Sequence, residues 1–209
     1  MNFLHQSTPH LRSILKNFNS QALSELPEDI KPSSVDIWFQ DETRVGRQGS
    51  ITRRWAEKGT RPRAVRRRQF ISSCIFGAVC PARGEAVGLV LPHADTEAMK
   101  LHIREISEQV PEGRHALVIA DRAAWHSSKK LNRHNVTLLR LPPYSPELNP
   151  VEQVRQWLKR KFLSNRAYRN YEAIIDACCE AWNCFADGAD RITQMCSRKR
   201  ASITDHDLM

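Results

Sequence analysis

The sequence predicts a mixed α/β domain, with an antiparallel meander followed by parallel crossover units and helices covering the faces of a mixed sheet. Three observations predict it. Apolar, β-branched runs come first, at residues 35–40, 70–80 and 86–91. From Asp95 onward, helically spaced stretches alternate with short strands. The run 116–120 is continuously apolar, as suits a strand buried on both faces. With 209 residues, 41% hydrophobic and 26% charged, the chain has the composition of a soluble globular domain with at most a small extension. That excludes a disordered tail, a collagen-like fibre and a disulfide miniprotein.

The elements follow in order. Residues 1–34 form a preface with a short helix around 11–18, leading through Pro27 and Pro32 to the first strand. That strand, 35–40, ends at Asp41 and Glu42. A further strand is expected at 51–56 and a turn at 59–62. The 70–80 strand turns at 81–84 and returns as 86–91. Asp95 or Thr96 caps a helix to about 110, with Ala98, Leu101, Ile103 and Ile106 at roughly helical spacing. After 116–120, a short helix at 127–131 leads to a strand at 136–141, which Pro142 and Pro143 stop. Helices are expected at 149–163 and 171–185. Residues 187–209 show little periodicity. The expected division is a preface, 1–34, a central domain, 35–186, and a poorly ordered tail, 187–209.

Charge is distributed unevenly. Between residues 44 and 68 stand ten basic residues: Arg44, Arg47, Arg53, Arg54, Lys58, Arg61, Arg63, Arg66, Arg67 and Arg68. Against them stands one acid, Glu57, so this segment carries the whole net charge of +9. A localised basic stripe on a neutral body points to a polyanion, nucleic acid above all; a solvated, solubilising surface is the alternative.

The six cysteines form no C-x-x-C pair, which argues against a zinc ribbon and for small apolar fillers in a reducing cytoplasm. No secretory signal opens the chain, and no stretch approaches the roughly 18–20 apolar residues of a membrane span, so no membrane partner is expected. No Gly-rich phosphate loop and no G-x-S-x-G elbow is present, against a nucleotide triphosphatase and a serine hydrolase.

Three carboxylates occupy functional settings. Asp41 ends the first strand, Asp121 ends the buried run, and Glu152 opens a helix. If the two strands are parallel neighbours, Asp41 and Asp121 emerge together, and paired carboxylates repel unless a proton or cation sits between them. Two Asp and one Glu suit Mg²⁺, and phosphoryl transfer is the chemistry that needs such a site. Each acid also has a structural explanation. Asp41 suits a turn, Asp121 suits an N-cap, and Glu152 suits a capping box behind Asn149 and Pro150. Arg155 and Lys159 share the Glu152 face and can pair with it. His126 reads as an acid/base, a metal ligand or a supporting residue. Trp38, Trp125 and Trp157 read as core.

Three phrases together resemble the mariner-like superfamily of DDE transposases, most closely its bacterial insertion-sequence branch. They are Trp38-Phe39-Gln40-Asp41-Glu42, Asp121-Arg122-Ala123-Ala124-Trp125-His126, and Leu141-Pro142-Pro143-Tyr144-Ser145-Pro146-Glu147-Leu148-Asn149-Pro150-Val151-Glu152. The resemblance covers residues 35–186. It implies an RNase H-like fold with Asp41, Asp121 and Glu152 as catalytic ligands of two Mg²⁺ or Mn²⁺ ions, with Glu42, His126 and Asn149 supporting them. It implies cutting of double-stranded DNA at transposon ends and strand transfer, usually into a TA dinucleotide, by a homodimer on DNA. The basic segment 44–68, with Lys129 and Lys130, would track the DNA backbone in a salt-sensitive, sequence-blind way.

The chain departs from that pattern in three places. Only about 34 residues precede the first strand, so the helix-turn-helix half that reads transposon ends is expected from a separate or frameshifted reading frame. Thirty residues separate Asp121 from Glu152, a few fewer than is usual, with the trimming expected near 132–135. Arg155 stands where relatives usually carry Trp, which predicts a weaker seat for the helix and a looser Glu152. Two other functions stay open: a truncated DNA-binding remnant or regulator that does not cut, and a general RNase H-like nuclease.

Overall fold

In a computed structural model of the chain, the described residues are 24–46, 57–59, 71–121, 131, 133–141 and 149–197. Five strands, β1 (Val35–Gly46), β2 (Ser72–Cys80), β3 (Glu85–Leu91), β4 (His115–Ala120) and β5 (Val136–Arg140), form one sheet in the order β3-β2-β1-β4-β5. β1, β2 and β3 pair antiparallel, whereas β4 is parallel to both β1 and β5. This is the expected meander followed by parallel units. Four helices flank the sheet: α1 (Thr96–Gln109), α2 (Val151–Leu158), α3 (Tyr171–Ala186) and α4 (Ala189–Cys196).

Strand alternation divides the core into two layers. Trp38, Phe76, Ala116 and Val118 point toward α1 and pack with Met99, Ile103 and Ile106. Phe39, Ile75, Leu117, Ile119 and Leu139 point to the other face and pack with Val151, Val154, Leu158, Ile174 and Phe185. All six residues of β4 are buried, which accounts for its unbroken apolar run. The Asp95 carboxylate caps α1 by accepting from Ala98 N at 2.8 Å. At the start of the parallel pair, the Asp36 carboxylate, 4% exposed, accepts two bonds from the Arg114 fork at 2.6 and 2.7 Å.

Three expectations change. β1 does not stop at Asp41 but runs on to Gly46, because Thr43 and Val45 continue the ladder opposite Ile75 and Ser73 of β2. The helix expected over 149–163 is regular only through Leu158 and closes with a π-helical turn, Lys159–Leu163. Part of the expected tail is helix α4, whose Ile192 and Cys196 are 0% and 1% exposed. Two apolar residues spaced i, i+4 suffice to seat it, which is too little periodicity to read from the chain. The expected helices at 11–18 and 127–131 and the strand at 51–56 lie wholly or almost wholly outside the described residues.

All six cysteines are free thiols, four of them buried, and burial pushes the thiols of Cys80 and Cys178 up to about 12. The four buried ones serve as small apolar fillers.

Trp182 of α3 lies on a bare patch of the sheet. Gly77 and Gly88 face each other across β2 and β3, and a Cβ on either would fall 2.5 or 2.2 Å from the indole. Trp182 also packs on Phe185, with ring centroids 5.7 Å apart. Gly88→Ala is therefore expected to lower stability by about 1–3 kcal/mol through overpacking, read from urea denaturation midpoints with unchanged slope.

Candidate active site

Asp41 and Asp121 are brought level by strand register. Phe39 pairs with Ile119 in the parallel β1–β4 ladder, and both belong to the core layer under α2. Two residues further along come Asp41, on that same face of β1 by alternation, and Asp121, one residue past the end of β4. Asp41 is partly buried and Asp121, immediately after β4, is exposed. The Asp41 Oδ1 accepts from Glu42 N at 2.8 Å.

Burial dominates the electrostatics of Asp41. Its carboxyl is pushed up to about 6, chiefly by burial. The Arg155 guanidinium opposes that rise, whereas the charges of Glu42 and Asp121 add to it.

Asn149 positions the third element. It is 6% exposed, and its Nδ2 donates to Gln40 O at 2.8 Å, tying the start of α2 to β1 immediately before Asp41. Its Oδ1 accepts from Val151 N at 3.1 Å. Asn149 thus supports the site from a distance of 109 residues in the chain.

Glu152 does not form the expected capping box. Asn149 has both ends of its amide engaged, and the Glu152 carboxylate turns along the helix instead. Its Oε2 pairs with Arg155 Nη2, and its Oε1 accepts from Gln156 Nε2 at 3.3 Å. The looser helix seat predicted from Arg155 is also corrected. Val151, Val154 and Leu158 are 3%, 0% and 1% exposed and hold α2 against the sheet without an aromatic at 155.

The structure therefore brings Asp41 and Asp121 together and leaves Glu152 with Arg155. Among the described residues, no group of three or more His, Cys, Asp and Glu side chains stands close enough to hold a metal ion. Glu42 follows Asp41 on the opposite face of β1, where its Oε1 accepts from Gln40 Nε2 at 2.9 Å. Trp38 is buried under α1, and Trp157 is partly buried, with Phe162 and Phe185 at centroid distances of 5.4 and 5.6 Å.

Of the expected DNA-tracking residues, Arg44 is exposed and its Nε donates to Ser72 Oγ at 3.0 Å. Arg47, Arg53, Arg54, Arg61, Arg63, Arg66, Arg67, Arg68, Lys129 and Lys130, with His126 and Trp125, lie outside the described residues. The structure adds a second basic concentration. Arg155, Lys159, Arg160, Lys161, Arg166 and Arg169 occur with no acid between Glu152 and Glu172, and the last four are exposed. Buried Leu163 and Tyr168 anchor the loop that carries them, the Tyr168 hydroxyl donating to Leu163 O at 3.3 Å. Sequence reading passed over this surface because helix, π-turn and loop share it; the available signal was the absence of acids.

A family model described as DDE superfamily endonuclease matches residues 36–175. An uncharacterised protein of Sinorhizobium fredii, y4pE/y4sA, is 53% identical over 114 residues, which cover 54% of this chain and 84% of that protein. Among solved structures, the Mos1 strand transfer complex superposes with a TM-score of 0.57 at 15% identity, over 91% of this chain and 59% of that one. The Mos1 mariner paired end complex with Mn gives 0.56 at 14%, over 91% and 62%. At such identities the likeness is one of fold, the RNase H-like sheet flanked by helices. The chain spans about three fifths of the length of those solved chains. Among the described residues, no helix is long and apolar enough to cross a membrane.

The raised Asp41 carboxyl sets a pH-dependent stability. Folded Asp41 titrates near 6 against an ordinary value of 3.8, so the folded chain holds the proton more tightly. This contribution is complete below about 3.8 and is lost as pH rises through about 6. Asp41→Asn is therefore expected to stabilise the metal-free chain at pH 7.5 by about 1–3 kcal/mol, a gain that vanishes near pH 4. Denaturation of both proteins in chelator at the two pH values checks this.

Proposed function

The chain belongs to the DDE superfamily of endonucleases, and from that premise we propose that it is the catalytic domain of a bacterial insertion-sequence transposase, cutting DNA at element ends and joining the freed strand to target DNA. The observation that carries the reading is the β1–β4 register. It runs the strands leading to Asp41 and Asp121 side by side, which supports a site shared with Glu152 of α2.

The residues present fit a divalent cation. Asp41 and Asp121 are hard oxygen donors, and burial with the charges of Glu42 and Asp121 keeps the Asp41 carboxyl raised even against the opposing charge of Arg155. Asp41, Asp121 and Glu152 would hold Mg²⁺ or Mn²⁺, two ions in the full assembly. When bound, the metal lowers the pKa of an attacking water or 3′-hydroxyl and neutralises charge on the leaving oxygen.

The chain's own residues do the rest. Asn149 fixes where α2 begins relative to Asp41, so the third acid is delivered at a set height above the sheet. No covalent nucleophile from the protein is required. In the first step water attacks a phosphodiester phosphorus and a 3′-hydroxyl leaves; in the second that hydroxyl attacks a target phosphodiester, with TA the proposed target, and the target strand's 3′-oxygen leaves as a hydroxyl.

Double-stranded DNA is the proposed substrate, met by the basic segment 44–68 and the exposed Arg160, Lys161, Arg166 and Arg169. Their backbone contacts weaken with salt and carry no sequence information. End recognition is assigned to a separately encoded helix-turn-helix half, homodimerisation to the DNA-bound state, and the site of action to the cytoplasm. One observation favours a second reading, a DNA-binding chain that does not cut: Glu152 is engaged by Arg155.

The test supplies Mn²⁺ or Mg²⁺ and DNA carrying the element's ends, with the end-binding half added. Metal-dependent nicking is expected, lowered by Asp121→Ala on the order of a thousandfold. DNA binding without nicking under any condition would select the second reading, and equal nicking by Asp121→Ala would reject both the site and the mechanism.

A further inference from the structure

Arg155 is the feature that the reaction, as described, does not use. It lies one helical turn beyond Glu152, and its Nη2 pairs with one carboxylate oxygen while Gln156 donates to the other. Both oxygens of Glu152 are therefore occupied by side chains of α2. The α2 helix that carries this pair packs on β1, and of the charges acting on Asp41 that of Arg155 is the largest, ahead of Glu42 and Asp121. A guanidinium is permanently charged and binds carboxylates through a planar fork. It thus stands among the acids where counter-charge is needed.

Given the metal site proposed above, we infer that Arg155 is an internal counter-cation, a positioning residue that keeps Glu152 turned away from the Asp41–Asp121 pair until a divalent cation displaces it. Two consequences distinguish this role from a surface ion pair. Arg155 stabilises the metal-free chain, because it offsets acids that otherwise repel one another. It also competes with the metal, so its removal tightens binding. Both Arg155 and Glu152 are about one third exposed, so the competition is modest, about two- to fivefold in affinity.

The experiment titrates the chelator-treated chain with MnCl₂ by calorimetry and records urea midpoints without metal at pH 7.5. Arg155→Gln is expected to bind Mn²⁺ about two- to fivefold more tightly while its metal-free midpoint falls. Arg155→Lys keeps the charge, loses the fork and should lie between the two. If Arg155→Gln does not fold, Arg155→Lys gives the same sign at smaller size. Unchanged or weaker Mn²⁺ binding in a folded Arg155 variant would overturn the inference, and if Asp121→Asn still weakens binding, the metal site itself stands. Mn²⁺ affinity indifferent to Asp121→Asn would remove the site and the inference with it.

Discussion

The parallel pairing of β1 with β4 is the constraint on which the rest of the structure depends. Val35 lies opposite His115 and Phe39 opposite Ile119, a constant offset of 80 residues along the ladder. The same offset relates Asp41 to Asp121. A slip by one residue would turn one acid to the α1 face and carry Phe39 or Ile119 out of its layer. Two devices hold the register. The buried Asp36 carboxylate takes the Arg114 fork at the start of the pair. Alternating large side chains, Trp38 and Val118 to one layer and Phe39 and Ile119 to the other, oppose slippage along its length.

From that register the site follows by short steps. Continuation of β1 beyond its pairing with β4 leaves Asp41 at the edge of the parallel ladder yet within a rigid strand, supported on its other side by Gly77 of β2. The Asn149 side chain refers α2 to Gln40, so the helix is indexed to the strand that carries the first acid. The free energy to crowd these carboxylates comes from the core beneath them, where Val154 and Ile119 are wholly or almost wholly buried. A stable scaffold thereby holds a locally unfavourable arrangement of like charges, as functional sites commonly do.

Much of this was legible in the residues. Continuous apolar runs marked β2 and β4, and Asp95 marked the start of α1, because burial on both faces and N-capping leave direct chemical traces. Asp41, Asp121 and Glu152 stood out from their places at the ends of regular elements, and the likeness of 38–42, 121–126 and 141–152 to a known family pointed to the same three. What was not legible depends on contacts between distant residues. The seat of Trp182 exists only because Gly77 and Gly88 meet across two strands, and the Asn149–Gln40 bond spans 109 residues. Helix α4 escaped notice because few of its residues face the core. The Arg155–Glu152 pair was legible as an i, i+3 spacing, but its relation to Asp41 was not, since that requires α2 to lie over β1.

The central claim is that residues 41 and 121, eighty apart in the chain, share one cation. Anomalous scattering from a crystal of the chain grown with Mn²⁺ tests it most directly. A manganese peak is expected within direct coordination distance, about 2.1 Å, of carboxylate oxygens from both Asp41 and Asp121. A well-ordered Mn²⁺ bound elsewhere, with these two side chains turned apart at saturating metal, would contradict it.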